Sequence, residues 1–220
     1  MKKITFADVL ANEEFRVYVE KGDEVLGTLG YTDHSAAHTV KVGETAAKVL
    51  LTLGFSEEEE LARIAGYIHD IGNMVNRVDH AQTGAIIAFQ ILTHMGMPPV
   101  DIAAVVSAIG NHDEGAGMAV SPISAAIIIS DKTDVRRSRV RNTDFATFDI
   151  HDRVNYAVEK SELTVNADTR EILLTMTIDA AICSVMDYFE IFLSRMMMCR
   201  RAADKLKSHF GLLVNGSRIL

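Results

Sequence analysis

Tyr67-Ile68-His69-Asp70-Ile71-Gly72-Asn73 puts an imidazole and a carboxylate side by side at the end of a helical pattern. Leu61, Ile64, Ala65 and Ile68 recur at helical spacing ahead of it. Ser56 and Glu59 have the spacing of a capping box, and Gly54 is a natural stop for the helix before. Gly72 supplies a permissive residue to end the helix, which predicts His69 and Asp70 in its last turn. Successive side chains on a helix point about 100° apart, so the doublet can flank one ion without converging on it. Alone, it reads equally as a buried structural histidine beside a capping aspartate or as half of a metal site.

Its companions on either side are also imidazoles and carboxylates. Upstream, Tyr31-Thr32-Asp33-His34-Ser35-Ala36-Ala37-His38 precedes a helix through Val42, Ala46, Val49, Leu50 and Leu53, with Thr32 or Asp33 as its cap. Spacing predicts His34 and His38 on one helical face, as a shared ligand pair or as a chance pair on the surface. Downstream, Asp79 and Gln82 have capping-box spacing, which makes His80 the first residue of a helix reaching about Met95. Pro98-Pro99 opens the next helix, and this one ends in the polar loop Gly110-Asn111-His112-Asp113-Glu114-Gly115. Ser121-Pro122 caps an apolar run, Ala125 to Ile129, that turns polar at Asp131-Lys132-Thr133-Asp134. A carboxylate after such a run is either rotated to the surface or buried with a partner, because unpaired burial is costly. Lys132, Arg136, Arg137, Arg139 and Arg141 then cluster, either as a solvated helix face or as a phosphate-binding edge.

The chain has 220 residues, 48% hydrophobic and 24% charged, enough for one substantial core. Its net charge of −8 argues against a nucleic-acid polymer as partner, but leaves room for a small phosphorylated ligand held by a local basic cluster. Cys183 and Cys199 are too few for a disulfide framework or zinc knuckle, which points to a reducing, cytoplasmic setting. The first residues lack the apolar core of a signal peptide. The apolar stretch near 180–198 is broken by Asp187, Glu190 and Arg195, so a buried helix is expected there and no membrane span.

Residues 6–29 predict two short helices. Beyond about 150, Leu163 and Val165, then Ile172, Leu174 and Met176, alternate with polar residues around Ala167-Asp168-Thr169, the pattern of a β-hairpin. A long helix follows from about Ala180 to Phe210. Its Met186, Met196, Met197, Met198 and Cys199 read as core filler, and Gly211–Gly216 as a last strand that could join the hairpin. The fold expected is mainly α: a helical body over residues 1–145, and a small α+β subdomain over 146–220 with a β-hairpin and a long helix. That last helix could pack on the chain's own core or on a second subunit in a homodimer.

His34, His38, His69, Asp70, His80, His112 and Asp131 together form a donor set of imidazoles and carboxylates, which suits zinc, iron, manganese or nickel better than a thiolate-selecting metal. The order of His38, His69-Asp70 and Asp131, at these intervals, resembles the HD superfamily of metal-dependent phosphohydrolases over about residues 30–140. Asp131-Lys132-Thr133-Asp134 resembles the family's closing motif. His80 with Gly84, and His112, resemble the further histidines of its binuclear members, in which a second histidine adjoins the position that His112 holds. This chain has Asn111 or Asp113 there. The Gly-Tyr-Pro signature of the cyclic-di-GMP branch is absent.

That resemblance implies one divalent ion on His38, His69, Asp70 and Asp131. Asp70 would bridge to a second ion on His80 and His112. It implies a metal-activated water attacking a phosphoester of a nucleotide or another small phosphorylated molecule. His34 resembles a histidine that acts as acid on the leaving oxygen, with Lys132 an alternative. Lys132, Arg136 and Arg137 are the expected phosphate contacts. Two other chemistries suit the same scaffold: a nucleotide-sensing metal protein without turnover, and a di-iron oxygen-dependent enzyme.

Overall fold

The computed structural model describes residues 3–220. Thr5 opens α1 (Phe6–Ala11) through a reciprocal capping box with Asp8, and Asn12 caps α2 (Glu13–Thr28) by accepting from Phe15 N–H. α3 (Ala36–Thr52) is capped by Ser35, not by Thr32 or Asp33. His34 therefore lies ahead of the helix, and the expectation that it shares a helical face with His38 does not hold. Gly54, at φ +83°, ends α3 as its sequence position predicts.

α4 (Glu59–Ile68) has Glu58 at its N-cap, without the expected Ser56–Glu59 capping box. The Glu59 carboxylate goes instead to Arg63 one turn on, a charged partner that outcompetes a neutral cap. α4 also stops sooner than expected. His69 is its C-cap, and Asp70 leads into a short 3-10 turn, Ile71–Met74. Gly72 does not end the helix; it lies inside this turn, pressed against α5 (His80–His94). A Cβ on Gly72 would fall 2.0 Å from the His80 carbonyl oxygen, so no larger residue allows that approach. α5 begins at His80 as expected, but Asp79 takes a left-handed conformation and makes no side-chain cap.

α6 (Pro99–Gly110) starts at the proline pair, and α7 (Pro122–Lys132) starts with Ser121 and Ser124 capping each other. α7 packs against α3, α4 and α6, and its residues Ala125 to Ile129 are fully buried. The crossing of α3 on α4 is close because glycines meet there. A Cβ on Gly66 would stand 2.6 Å from the Gly43 Cα, and one on Gly43 would stand 2.5 Å from the Arg63 carbonyl oxygen. This crossing brings His38 on α3 beside His69, with ring centroids 5.6 Å apart.

Two 3-10 turns lead to α8 (Ile150–Ala157), a helix that the sequence pattern does not announce. β1 (Val158–Asn166) and β2 (Glu171–Ile178) form the expected antiparallel hairpin, with Leu163 opposite Leu174. β3 (His209–Val214) joins β2 in parallel, Ile172 opposite Phe210, and β4 (Ser217–Arg218) closes the sheet. The crossover is α9 (Val185–Lys205), shorter than the expected Ala180–Phe210. A Ser184–Asp187 capping box sets its start, and Lys207 at φ 54° turns the chain into β3.

Ile172, Leu174, Met176 and Ile178 alternate onto one buried face of the sheet, and α9 buries Tyr188, Phe192, Met196 and Cys199. One apolar core runs from Phe15 through Ile127 to Phe192 and Leu212. Among the described residues, no helix is long and apolar enough to cross a membrane.

Candidate metal centre

Helix ends deliver the titratable side chains to one place. His69 caps the C-terminus of α4, His80 starts α5, His112 follows the end of α6, and Asp131 sits in the last turn of α7. Asp70 stands in the middle. Its Oδ2 is 3.3 Å from His69 Nε2, and its Oδ1 is 3.3 Å from His80 Nε2 and 3.6 Å from His112 Nε2. On the other side, Asp131 Oδ1 is 3.3 Å from His38 Nε2 and 3.8 Å from His69 Nε2. The donor atoms of His38, His69 and Asp131 lie within 4.8 Å of one another, as do those of His69, Asp70 and His112.

The second ring nitrogen of each histidine sets the direction of the first. The Nδ1 atoms of His69, His80 and His112 donate to the carbonyls of Gly66, Arg77 and Ile109, at 2.8, 3.0 and 2.7 Å. His38 Nδ1 donates to Asp134 Oδ2 at 2.8 Å. Carbonyls and carboxylates only accept, so each Nδ1 carries a proton, and in the neutral ring each Nε2 presents a lone pair to the centre. Oriented imidazoles backed by backbone carbonyls and a carboxylate are the arrangement of metal ligands.

The electrostatics match. Burial opposes charge on Asp70, yet His69, His112 and His80 hold its carboxyl well below the usual range. Asp131 is half-buried, and Lys132, His38 and His69 hold its carboxyl well below the usual range as well. Burial pulls His69 toward neutrality, but Asp70 and Asp131 raise its pKa above the ordinary value: the spot favours positive charge. His38 Nε2 and His69 Nε2 are buried without a hydrogen-bond partner among the described residues. Such orphaned acceptors cost roughly 1–3 kcal/mol each when nothing compensates. A divalent transition ion fits this donor set, because it would complete both lone pairs and balance the carboxylates.

Above the centre lies a cavity of about 330 Å³. Its wall includes His34, Lys132, Arg77, Arg139 and Arg195. Lys132 Nζ sits 2.8 Å from Asp131 Oδ2 and 3.2 Å from Glu114 Oε2, and these carboxylates outweigh burial to raise its pKa. His34 reaches the cavity from its loop, its ring 5.4 Å from that of His38. Its Nδ1 donates to the Thr32 carbonyl at 2.7 Å, while burial and the Arg139 charge hold its pKa well below the ordinary value.

The structure brings His34, His38, His69, Asp70, His80, His112, Asp131 and Lys132 together. It leaves Arg136 and Arg137 outside the cavity wall. Arg136 turns back to pair with Asp134, and Arg137 lies over the Tyr156 ring and donates to its carbonyl. Of the basic cluster only Lys132 and Arg139 reach the cavity wall; the other cations there, Arg77 and Arg195, were not singled out by sequence spacing. Arg139 is buried and donates to the Asp33 and Asp134 carbonyls, a long-range arrangement that no local pattern encodes. Asn73 was also missed. Its amide donates to Asp70 Oδ1 at 2.9 Å and fixes the central carboxylate. Asp134 carried a readable signal, as the last residue of the Asp131-Lys132-Thr133-Asp134 motif.

The HD domain family matches residues 36–191 of this chain. An uncharacterized protein of Methanocaldococcus jannaschii, MJ1020, is 24% identical over 73% of this chain and 71% of its own length.

Proposed function

The chain belongs to the HD domain family, a superfamily of metal-dependent hydrolases, and on that premise we propose that it is a phosphohydrolase acting on a small phosphorylated molecule, such as a nucleotide. The observation that carries the reading is Asp70, whose carboxylate oxygens face two sets of oriented imidazoles on the floor of a cation-lined cavity. His38, His69, Asp70 and Asp131 would hold one divalent ion, and Asp70, His80 and His112 a second. When bound, such ions polarise a phosphoryl oxygen and lower the pKa of water, supplying a nucleophile at neutral pH.

The chain's own groups do the rest. Lys132 stays charged between Asp131 and Glu114 and is placed to donate a charge-assisted hydrogen bond to a phosphoryl oxygen. Arg139 adds positive charge to the same wall without needing to move, because its own hydrogen bonds fix it. His34 is neutral at pH 7, with the lone pair of Nε2 available. An incoming phosphoryl dianion favours the imidazolium, so His34 takes a proton on Nε2 as substrate binds and can pass it to the leaving oxygen. The cavity's size and the chain's net charge of −8 favour a small ligand over a polymer.

The test is hydrolysis of a panel of phosphomonoesters, phosphodiesters and nucleotides with added Mn²⁺, by the native protein and by Asp70→Ala. Turnover that disappears with Asp70 supports the reading. Turnover that survives Asp70→Ala, or none on any substrate at full metal loading, refutes it.

A further inference from the structure

The two halves of the centre have similar donors but different states of satisfaction. In the half built on His38 and His69, neither Nε2 has a hydrogen-bond partner among the described residues. In the other half, His80 Nε2 and His112 Nε2 face each other at 3.2 Å, with Asp70 Oδ1 near both. Each of these imidazoles has its proton on Nδ1, so two lone pairs and a carboxylate converge without a proton between them. Such a cluster calls for a positive charge.

A cation is already there. Arg77 Nη1 lies 3.1 Å from His80 Nε2 and 3.4 Å from Asn73 Oδ1, while Nη2 lies 3.8 Å from Asp113 Oδ1. A guanidinium keeps its charge at any physiological pH, so this nitrogen can only donate. Arg77 acts on the same histidine twice: its carbonyl fixes the His80 tautomer, and its side chain covers the lone pair that this tautomer exposes. Its own attachment is loose. It makes no two-pronged bond to a carboxylate, its contacts beyond His80 are long, and it is about a quarter exposed, along the cavity wall near the Tyr31 ring.

We propose that Arg77 is the resident cation of the His80–His112 half-site. A second divalent ion then binds only as the guanidinium swings away from His80 into the cavity, where phosphoryl oxygens can receive it. The inference rests on the metal-dependent reading of the site and adds an order of loading. The His38–His69 half fills first, the second half fills more weakly, and a phosphate in the cavity favours the second step.

Mn²⁺ binding to the chelator-stripped full chain tests this without turnover. Calorimetry and the loss of the free-ion spin-resonance signal report the affinity and stoichiometry of each step. The native protein is expected to show two steps separated by about tenfold or more, narrowed by inorganic phosphate. Arg77→Gln is expected to tighten the second step by about tenfold, as removal of a competing charge requires, with the first step unchanged. Arg77→Lys retains the charge on a compact head and is expected to keep the separation. A second step unchanged or weakened in Arg77→Gln, with circular dichroism showing a native fold, overturns the inference while the metal-dependent reading stands. An unfolded Arg77→Gln leaves the decision to the phosphate arm: no narrowing in the native protein overturns it equally. Absence of Mn²⁺ binding to the native protein overturns both.

Discussion

Asp134 Oδ2 accepts a hydrogen bond from His38 Nδ1 at 2.8 Å, and the same carboxylate binds Lys41 Nζ at 2.6 Å through Oδ1. His38 is thereby held with Nε2 toward Asp131, while Asp134 is itself pinned by Lys41 and Arg136. Carboxylates that orient a metal-binding imidazole usually contribute 10–100-fold, as an order of magnitude, to metal affinity. Asp134→Asn keeps the shape and an acceptor but loses the charge. We expect it to weaken the tighter Mn²⁺ step by about tenfold or more, measured by titration calorimetry, with little change in the weaker step. Equal weakening of both steps would show that Asp134 acts on the fold and not on His38.

Local signals placed the helices that carry the site. Pro98-Pro99 and Ser121-Pro122 marked α6 and α7 because proline and a serine cap act within one turn. The capping boxes expected at Ser56–Glu59 and Asp79–Gln82 failed: Glu59 found Arg63, and Asp79 turned left-handed to swing the chain toward Gly72. The histidines and aspartates of the centre were legible because few other roles suit that combination of residue types. Arg77, Arg195 and Asn73 were not: α9 brings in Arg195 by tertiary packing, while Asn73 and Arg77 reach Asp70 and His80 across turns of three residues that carry no recognised pattern. Arg136 and Arg137 were misleading. Adjacent basic residues share a stretch of chain, yet Asp134 and Tyr156 draw these two away from the cavity.

Gly72 links stability to the site. Its Cβ position falls 2.0 Å from the His80 carbonyl oxygen and 2.6 Å from Gly84 N, and neither backbone atom can give way alone. Gly72→Ala must push α5 from the 3-10 turn and draw His80 away from Asp70. We expect destabilisation at or above the upper end of the roughly 1–3 kcal/mol typical of overpacking, seen as a lower melting temperature, together with loss of the weaker Mn²⁺ step. Gly54→Ala is the control. Its Cβ meets open space, so only the left-handed φ of +83° opposes it, at about 1 kcal/mol, and metal binding should be unchanged.

Metal should also hold the fold together, because its ligands come from α3, α4, α5, α7 and the end of α6. An ion that binds only the folded chain stabilises it by about 2.7 kcal/mol at a hundredfold excess over Kd. For a chain of this size, that corresponds to a melting temperature higher by about 5–10 °C. Differential scanning calorimetry with Mn²⁺ and then with chelator measures it. Asp70→Ala, which removes the carboxylate common to both ligand sets, should erase most of the shift. An equal shift in that variant would place the stabilising ion elsewhere.

His34 predicts a pH dependence that can be isolated by difference. Burial and Arg139 hold its folded pKa well below the ordinary imidazole value of about 6.5. The unfolded chain therefore takes up a proton on His34 at a higher pH than the folded chain does. The contribution is fully present above about 6.5 and is lost as pH falls from there through the depressed folded value. In metal-free protein, where ions and protons do not compete, the native melting temperature should fall relative to that of His34→Gln between about pH 7.5 and pH 5. His112, which burial also shifts downward, is common to both proteins and cancels in the difference. Parallel melting curves across that range would mean that His34 is not held neutral at the cavity wall, and its role as a proton carrier during phosphoryl transfer would fail with it.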